Sequence, residues 1–595
     1  MPGHEAAELG YTAGRFRSHP GNKGFNKMSK RFLHRLWVSV CPVMLIVATA
    51  NAQTEKTKKE KSERVEAVRL ADAWLDSVQA YQHIPALSAG IVVADDLIWA
   101  KGYGAIDEQH SVPATPKTIY SICSISKLFT SVALMQQYEA GKVRLDEPIT
   151  TYLPWAKLKE TGEDSVPVTL RGLLSHSAGL PRESDFPYWS GPDFPFPTRE
   201  QIRATYPTQA PLFPAEYYFQ YSNLGLTLVG EVVDAVSGEP YAQYAKAKVL
   251  DPLRLNDTHP FMPMDLYGKR LAVGYGALKR DGTRDRVKPF DTKGITPAAG
   301  FTSTVEDLGK FASWQFRLVR TGKENVLKAS TLREMQRVQY MDPAWKTSWG
   351  LGFAIVHKEK DTFVGHGGSC PGYKTSLQLR MKDELAAIVM DNAAEEAGAF
   401  TSAVFAILDK RKGYEFKDPS PASGVDLEAY SGHYSNQPWG SESVLLPWAG
   451  GLALLRLPSA DPAGDMVFLK PKGGTCSGAF ARTAVKRRNS SFNGTLAARS
   501  LASSISAIPR SALRMKPTFV SSARGATCNP DHSTPTTDGL NGSGKSAKGR
   551  KESPFACPRR SRRPLKRMAY KTRRPHHAPG RAKSAISFSS VLPWW

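Results

Sequence analysis

SICSISKLFTSVALMQQYEAG, residues 121–141, decides how this chain is read, because it places Ser124 and Lys127 in the spacing S-x-x-K at the head of a helical pattern. Leu128, Val132 and Met135 recur at helical spacing and Gly141 supplies a stop, so a helix with an apolar packing face is expected from about Ser124. A serine in the first turn of a helix keeps its own N–H exposed in the positive field of the helix terminus. Lys127 lies one turn further along the same face and can approach the serine hydroxyl. Two readings are open at this point: a nucleophilic serine whose proton a desolvated lysine accepts, or a capping serine beside a solvated lysine. Abundance alone would give about two such spacings in a chain of this length, so the context has to decide.

Working outward, a Lys/Glu-rich linker is expected over 53–64, residues 65–79 read as an amphipathic helix, and SAGIVVADDLIWAKGYG (88–104) as a β-hairpin turning at Asp95-Asp96. Far down the chain, TSLQLRM (375–381) alternates with period two, KDE turns, and LAAIVM (385–390) runs apolar, a second antiparallel hairpin followed by a helical pattern up to about Arg411. Strands at both ends with helical material between them predict a mixed α/β (α+β) class: an antiparallel sheet closed by the two ends of the domain, flanked by helices and carrying a helical insertion. From about Asp426, short β-like runs separated by Gly, Pro and Ser read as the start of a small, incomplete β domain reaching about residue 470.

Two further stretches bear on chemistry. FQYSNLGLTLVGEVV (219–233) sets Tyr221 and Asn223 ahead of a helix-like run, and DTFVGHGGSC (361–370) puts His366, Gly367 and Gly368 at an expected strand start, where small residues admit a substrate. S-x-x-K, Y-x-N and H-x-G in this order resemble the serine β-lactamase and penicillin-binding-protein superfamily, in its class C β-lactamase-like branch. VTLRGLLSHSAGLP (168–181), VLDPLRLNDT (249–258) and TPAAGFTSTVEDLGKF (296–311) extend the resemblance over about residues 65–411. The resemblance implies the β-lactamase/transpeptidase-like fold and a serine hydrolase domain over 65–412. It also implies an acyl-enzyme on Ser124, with Lys127 and Tyr221 handling its proton, Asn223 holding substrate and the lysine, and an oxyanion hole from the N–H groups of Ser124 and Ser369. His366, Gly367, Gly368 and Ser369 then line the substrate cleft. No cofactor or metal is implied, and the substrate class is a small peptide, amide or ester, cell-wall-derived in the D-Ala-type peptidase reading. Esterase, true β-lactamase and a catalytically silent peptide-binding relative are the alternatives. Family members that are dedicated class C β-lactamases carry Lys at the His366 place, whereas histidine is only partly charged near neutral pH.

GGSCPGYKTS (367–376) misses the phosphate-binding P-loop because Tyr373 separates Gly372 from Lys374 and a strand follows, and Pro371 breaks G-x-S-x-G. His176 reads as a hydrogen-bonded structural histidine, and Cys123 as a small buried packer pointing about 100° away from Ser124 around the helix. The aromatic stretch 186–196 could line the cleft or pack beside it.

The net charge of +24 invites a nucleic-acid reading, but residues 470–595 hold 26 Lys and Arg against 3 Asp and Glu, leaving 53 basic and 52 acidic residues before them. No nucleic acid is therefore expected on the folded body. The basic run, 471–595, stops a strand pattern abruptly and reads as an out-of-frame translation rather than a true basic arm. Upstream, a basic stretch from Lys30, an apolar run over 36–47 and Ala50-Asn51-Ala52 read as a signal peptide cut before Gln53, with Met28 as the expected start; a periplasmic or secreted protein with no other membrane segment follows, an uncleaved anchor being the alternative. Six cysteines give no framework, and sequence assigns no pairing of Cys123 with Cys370.

Overall fold

The structure is a computed structural model and describes residues 55, 58–158, 165–323, 325–345, 348–416, 426–435, 437–471 and 480–482. The expected leader (1–52), the expected start at Met28, the basic run beyond Arg482 and the second of the chain's two units, Pro517–Trp595, lie outside the described residues.

In chain order come helix α1 (58–81), strands β1 (Ala86–Val93), β2 (Asp96–Gly104) and β3 (Tyr120–Ser121), then helices α2 (Ser126–Glu139), α3 (Leu170–Ser175), α4 (Arg199–Thr205), α5 (Asn223–Ser237), α6 (Tyr241–Ala245) and α7 (Thr296–Ala299). They are followed by β4 (Thr302–Ser303), α8 (Val305–Thr321), α9 (Ala329–Met335), β5 (Tyr340–Met341), β6 (Ser348–Trp349), β7 (Ala354–Lys358), β8 (Asp361–Cys370), β9 (Tyr373–Arg380), β10 (Leu385–Asp391) and α10 (Ala397–Arg411). A last group of strands is β11 (Gly432–Ser435), β12 (Glu442–Trp448), β13 (Gly451–Leu457), β14 (Val467–Pro471) and β15 (Phe480–Arg482).

The expected class is the observed one: an eight-stranded sheet in the order β2-β1-β10-β9-β8-β7-β6-β5, flanked by helices. Both hairpins form, β1 turning into β2 at Val93↔Asp96 and β9 into β10 at Arg380↔Leu385. β1 pairs with β10 through Ala89↔Val389, so the two ends of the domain close the sheet. These central strands are apolar on both faces because both are covered. Leu87, Ala89, Ile91, Ala387 and Val389 join the core under α1 and α10, whereas Ala386, Ile388 and Met390 join the core shared with α2, α5 and α8. Helix α1 starts seven residues before the apolar stripe read from sequence, so 58–64 is helix and not the expected linker: its Lys and Glu residues are good helix formers, and Arg64 and Glu60 pair at 3.8 Å.

Helix α2 is buried on every side from Ser126 to Met135, not on one face only. Its polar groups are satisfied internally: Ser126 Oγ donates to the Cys123 carbonyl at 2.5 Å, Thr130 Oγ1 to that of Pro297 at 2.6 Å and Ser131 Oγ to that of Lys127 at 2.7 Å. The small sheet runs β11-β12-β13-β14-β15 and so continues past residue 470. Trp448, Leu455 and Phe468 of this sheet share one core with Trp74 of α1 and Phe400 and Phe405 of α10, so it folds onto the main body rather than alone. No helix of the described residues is long and apolar enough to cross a membrane.

Candidate active site

The chain enters α2 through a single 3-10 turn, Cys123–Ile125, so Ser124 sits just ahead of the α-helix rather than inside its first turn. Cys123 has φ 47°, a left-handed kink that turns the serine out of the buried helix, and Ser124 alone in this segment is partly exposed. Lys127 is fully buried, with Nζ 3.1 Å from Ser124 Oγ, 2.7 Å from Asn223 Oδ1 and 2.8 Å from the Ala298 carbonyl. Burial holds this amine well below its ordinary value; Glu183 opposes the shift and Arg182 reinforces it. A neutral amine has two N–H groups, and two of its three neighbours can only accept. Both N–H groups therefore go to Asn223 and Ala298, and the lone pair is left facing the hydroxyl of Ser124.

Asn223 is brought there by its helix. Ser222 caps α5 by accepting from the Gly225 N–H at 2.9 Å, which puts Asn223 on the first turn and Tyr221 just outside it. Lys127 Nζ lies 4.9 Å and the Arg182 guanidinium 5.0 Å from the Tyr221 ring centroid. Burial pushes the Tyr221 phenol far up, and a hydrogen bond with Ser124 opposes that rise. Buried His176, in a left-handed conformation (φ 60°) at the end of α3, accepts from the Ser222 N–H at 3.1 Å through Nδ1 and stands 4.3 Å from the Tyr221 ring. It is a hydrogen-bonded structural histidine, as expected from the sequence, and it packs against the Tyr-Ser-Asn corner.

His366 lies in the middle of β8, five residues after the strand begins at Asp361, not at its start. The strand extends upstream because Asp361 to Gly365 pair with β7 in a ladder that the glycine-rich sequence does not announce. His366 Nδ1 donates to the Gly367 carbonyl at 2.5 Å, and Nε2 is buried without a partner among the described residues. Burial, with Lys127 acting in the same direction, lowers its pKa to about 3, so the ring is neutral at pH 7 rather than partly charged. Trp349 of β6 completes an aromatic wall, 5.4 Å from His366 and 5.8 Å from Tyr221.

β8 is pressed against the nucleophile's turn. A Cβ at Gly368 would lie 2.3 Å from the Ile122 carbonyl oxygen and 2.2 Å from Thr375 Oγ1, so only glycine fits. Two residues on, Cys370 is bonded to Cys123 across 247 residues of chain. Cys123 is thus half of a disulfide and not a free packing residue. Ser369 falls between these two ties, on the part of β8 that packs along the Cys123–Ile125 turn. The structure brings together Ser124, Lys127, Tyr221 and Asn223, sets His366 against Tyr221, and carries Gly367, Gly368 and Ser369 on the strand that packs along the nucleophile's turn. Sequence reasoning missed the Ala298 carbonyl, a backbone group with no side-chain signature, as well as Trp349 and Glu183, whose carboxylate accepts from Asn223 Nδ2 at 2.5 Å and Trp189 Nε1 at 2.8 Å. Trp189 thus ties the 186–196 aromatic stretch to the site. Among the described residues no cluster could hold a metal ion.

A family model described as Beta-lactamase matches residues 71–412. Protein flp of Staphylococcus aureus (strain MW2) is 26% identical over 327 residues, 53% of this chain and 61% of that protein. Beta-lactamase-like protein 2 of Dictyostelium discoideum is 24% identical over 304 residues, 50% of this chain and 54% of that protein. The chain thus spans less than two thirds of the curated relatives it matches. Among solved structures, the octameric penicillin-binding protein homologue from Pyrococcus abyssi superposes with TM-score 0.52 at 25% identity, covering 71% of this chain and 96% of that one. With the match running from α1 to the end of α10 and taking in both hairpins, the helical insertion and every residue gathered around Ser124, this chain belongs to the β-lactamase family of hydrolases.

Proposed function

We propose that the protein is a serine hydrolase that opens an amide or β-lactam bond through an acyl-enzyme on Ser124, with D-Ala-type peptides as the substrate class. The observation that carries the reading is the geometry of Lys127, whose two N–H groups go to the acceptor-only neighbours Asn223 Oδ1 and the Ala298 carbonyl oxygen, so that its lone pair is left for the Ser124 proton. Ser124 Oγ bonds to the substrate carbonyl carbon, and its proton passes to Lys127. The negative charge on the carbonyl oxygen is received by the N–H groups of Ser124 and Ser369, each such donor contributing about 3 kcal/mol. Tyr221, in hydrogen-bonding reach of Ser124, hands a proton to the departing amine and is reprotonated from Lys127. Water then attacks the acyl carbon by the same route in reverse. The likeness to the Pyrococcus penicillin-binding protein homologue supports a peptide-like acyl donor.

A second reading, hydrolysis of small esters, is favoured by His366. Its neutral ring offers no fixed cation to a substrate carboxylate, which is what an ester or an uncharged amide needs least. The Cys123–Cys370 disulfide is consistent with the proposed export to an oxidising compartment. Turnover of p-nitrophenyl acetate and of D-alanine p-nitroanilide by the wild type and by Ser124→Ala tests both readings. Faster turnover of the anilide favours the peptidase, faster turnover of the acetate the esterase; undiminished turnover by Ser124→Ala would sink them together.

A further inference from the structure

Glu183 stands outside the motifs that mark the site, yet it is hydrogen-bonded to the same Asn223 amide that accepts from Lys127. A carboxylate can only accept, so a Glu183 Oε1 that lies 2.5 Å from Asn223 Nδ2 turns the amide nitrogen toward itself and the amide oxygen toward Lys127, 2.7 Å away. The reversed amide would aim two N–H groups at the amine and displace one of its own donors from the place that keeps the lone pair on Ser124. The carboxylate is itself held in place: Trp189 Nε1 donates to Oε1 at 2.8 Å, Arg182 lies 3.6 Å away, and Oε2 is buried with no partner among the described residues. The titratable groups around Lys127 are Glu183 and Arg182 from the loop after α3, His176 at the end of that helix, Tyr221 ahead of α5 and His366 from β8. Glu183 is the one carboxylate in that set.

Resting on the acyl-enzyme reading above, we propose that Glu183 is a positioning residue for acylation, which fixes the Asn223 amide so that Lys127 keeps its lone pair on Ser124 and whose charge sets how readily Lys127 takes up a proton. The electrostatics agree in direction: Glu183 is the largest influence opposing the effect of burial on Lys127, and burial raises Glu183 in turn, against the hydrogen bonds from Trp189 and Asn223. The Trp189 donor links the aromatic stretch 186–196 to the same proton balance.

The test is the pH profile of kcat/KM on p-nitrophenyl acetate for the wild type, E183Q, E183A and W189F. Activity needs neutral Lys127, so the acid limb reports its deprotonation. E183Q keeps an acceptor for Asn223 but removes the anion that favours the ammonium form. Its acid limb moves to lower pH, so the ratio of variant to wild-type kcat/KM rises as pH falls, while kcat on the plateau drops because the amine is a weaker base. W189F moves the limb the same way without touching the carboxylate, since a carboxyl that has lost its indole donor protonates more readily. E183A also frees the amide and loses a further factor of about ten in kcat at every pH, with KM changing less. Acid limbs of E183Q and W189F that coincide with that of the wild type, or equal proportional losses at all pH values in all three variants, would overturn the proposal. A wild type with no more turnover than Ser124→Ala would instead overturn the acyl-enzyme reading, and this inference with it.

Discussion

Replacing both partners of the Cys123–Cys370 disulfide by alanine removes a cross-link that closes a loop of 247 residues. In the chain-entropy picture, a loop of that length restricts the unfolded ensemble by about 5 kcal/mol, which is comparable to the whole stability of many domains. The loss is largely one of the unfolded state, because both sulfurs are buried in a core that already holds Ile122 and Ile125 on one side and Tyr373 on the other. The variant C123A/C370A should therefore unfold at a much lower urea concentration and with a larger m-value, since the unfolded chain without its cross-link is more expanded and exposes more surface. A second effect is local. The bond ties the residue before Ser124 to the residue after Ser369, so its removal lets the two proposed oxyanion donors drift apart. Misplacement by about 1 Å costs up to about a hundredfold in rate, so kcat should fall by about ten- to a hundredfold at temperatures where the variant is fully folded, with KM changing less. Urea titrations followed by circular dichroism, beside steady-state kinetics below the onset of unfolding, read both effects. Coincident urea midpoints for the two proteins would refute the stability argument; an unchanged kcat in the folded variant would refute the positioning argument.

Two other perturbations follow from the same geometry. His366 refuses a proton in the folded state down to a pKa of about 3 but accepts one near its ordinary 6.5 when unfolded, so unfolding binds a proton below that pH. Stability should fall as pH drops from about 6.5 toward 3, and His366→Gln should flatten that fall; equal pH dependence of urea midpoints in both proteins would contradict the buried neutral histidine. Gly368→Ala would force a methyl group onto the Ile122 carbonyl and Thr375, costing about 1–3 kcal/mol and moving β8 off the nucleophile's turn; a lowered melting temperature with a disproportionate loss of kcat is expected, and wild-type values of both would show that the strand has room.

The two hairpins were legible because alternation in 375–381 and the paired apolar runs around Asp95-Asp96 report a backbone pattern that tertiary packing left intact. The extent of α2's burial was not, since Ser126, Thr130 and Ser131 look like a solvent face until the carbonyls of Cys123, Pro297 and Lys127 are seen to absorb their hydroxyls. In the site, Ser124, Lys127, Tyr221 and Asn223 stood out through spacing within short segments. Glu183, Trp349, the Ala298 carbonyl and the disulfide did not, because each acts across a long stretch of chain, and local sequence carries no mark of a partner that only folding brings near. The position of His366 within β8 was hidden for a related reason: the residues before it are paired by β7, and Gly368, which looks like part of a strand end, is there to let the strand lie against Ile122.

The chemistry of the site rests on Ser124 being the activated nucleophile. A fluorophosphonate, which captures an activated serine whatever its natural substrate, followed by intact-mass measurement and peptide mapping, tests it directly. A single phosphonyl group is expected on the peptide containing Ser124, formed far more slowly in Lys127→Ala and absent in Ser124→Ala. An unmodified wild-type protein, or a label that persists when Ser124 is replaced, would contradict it.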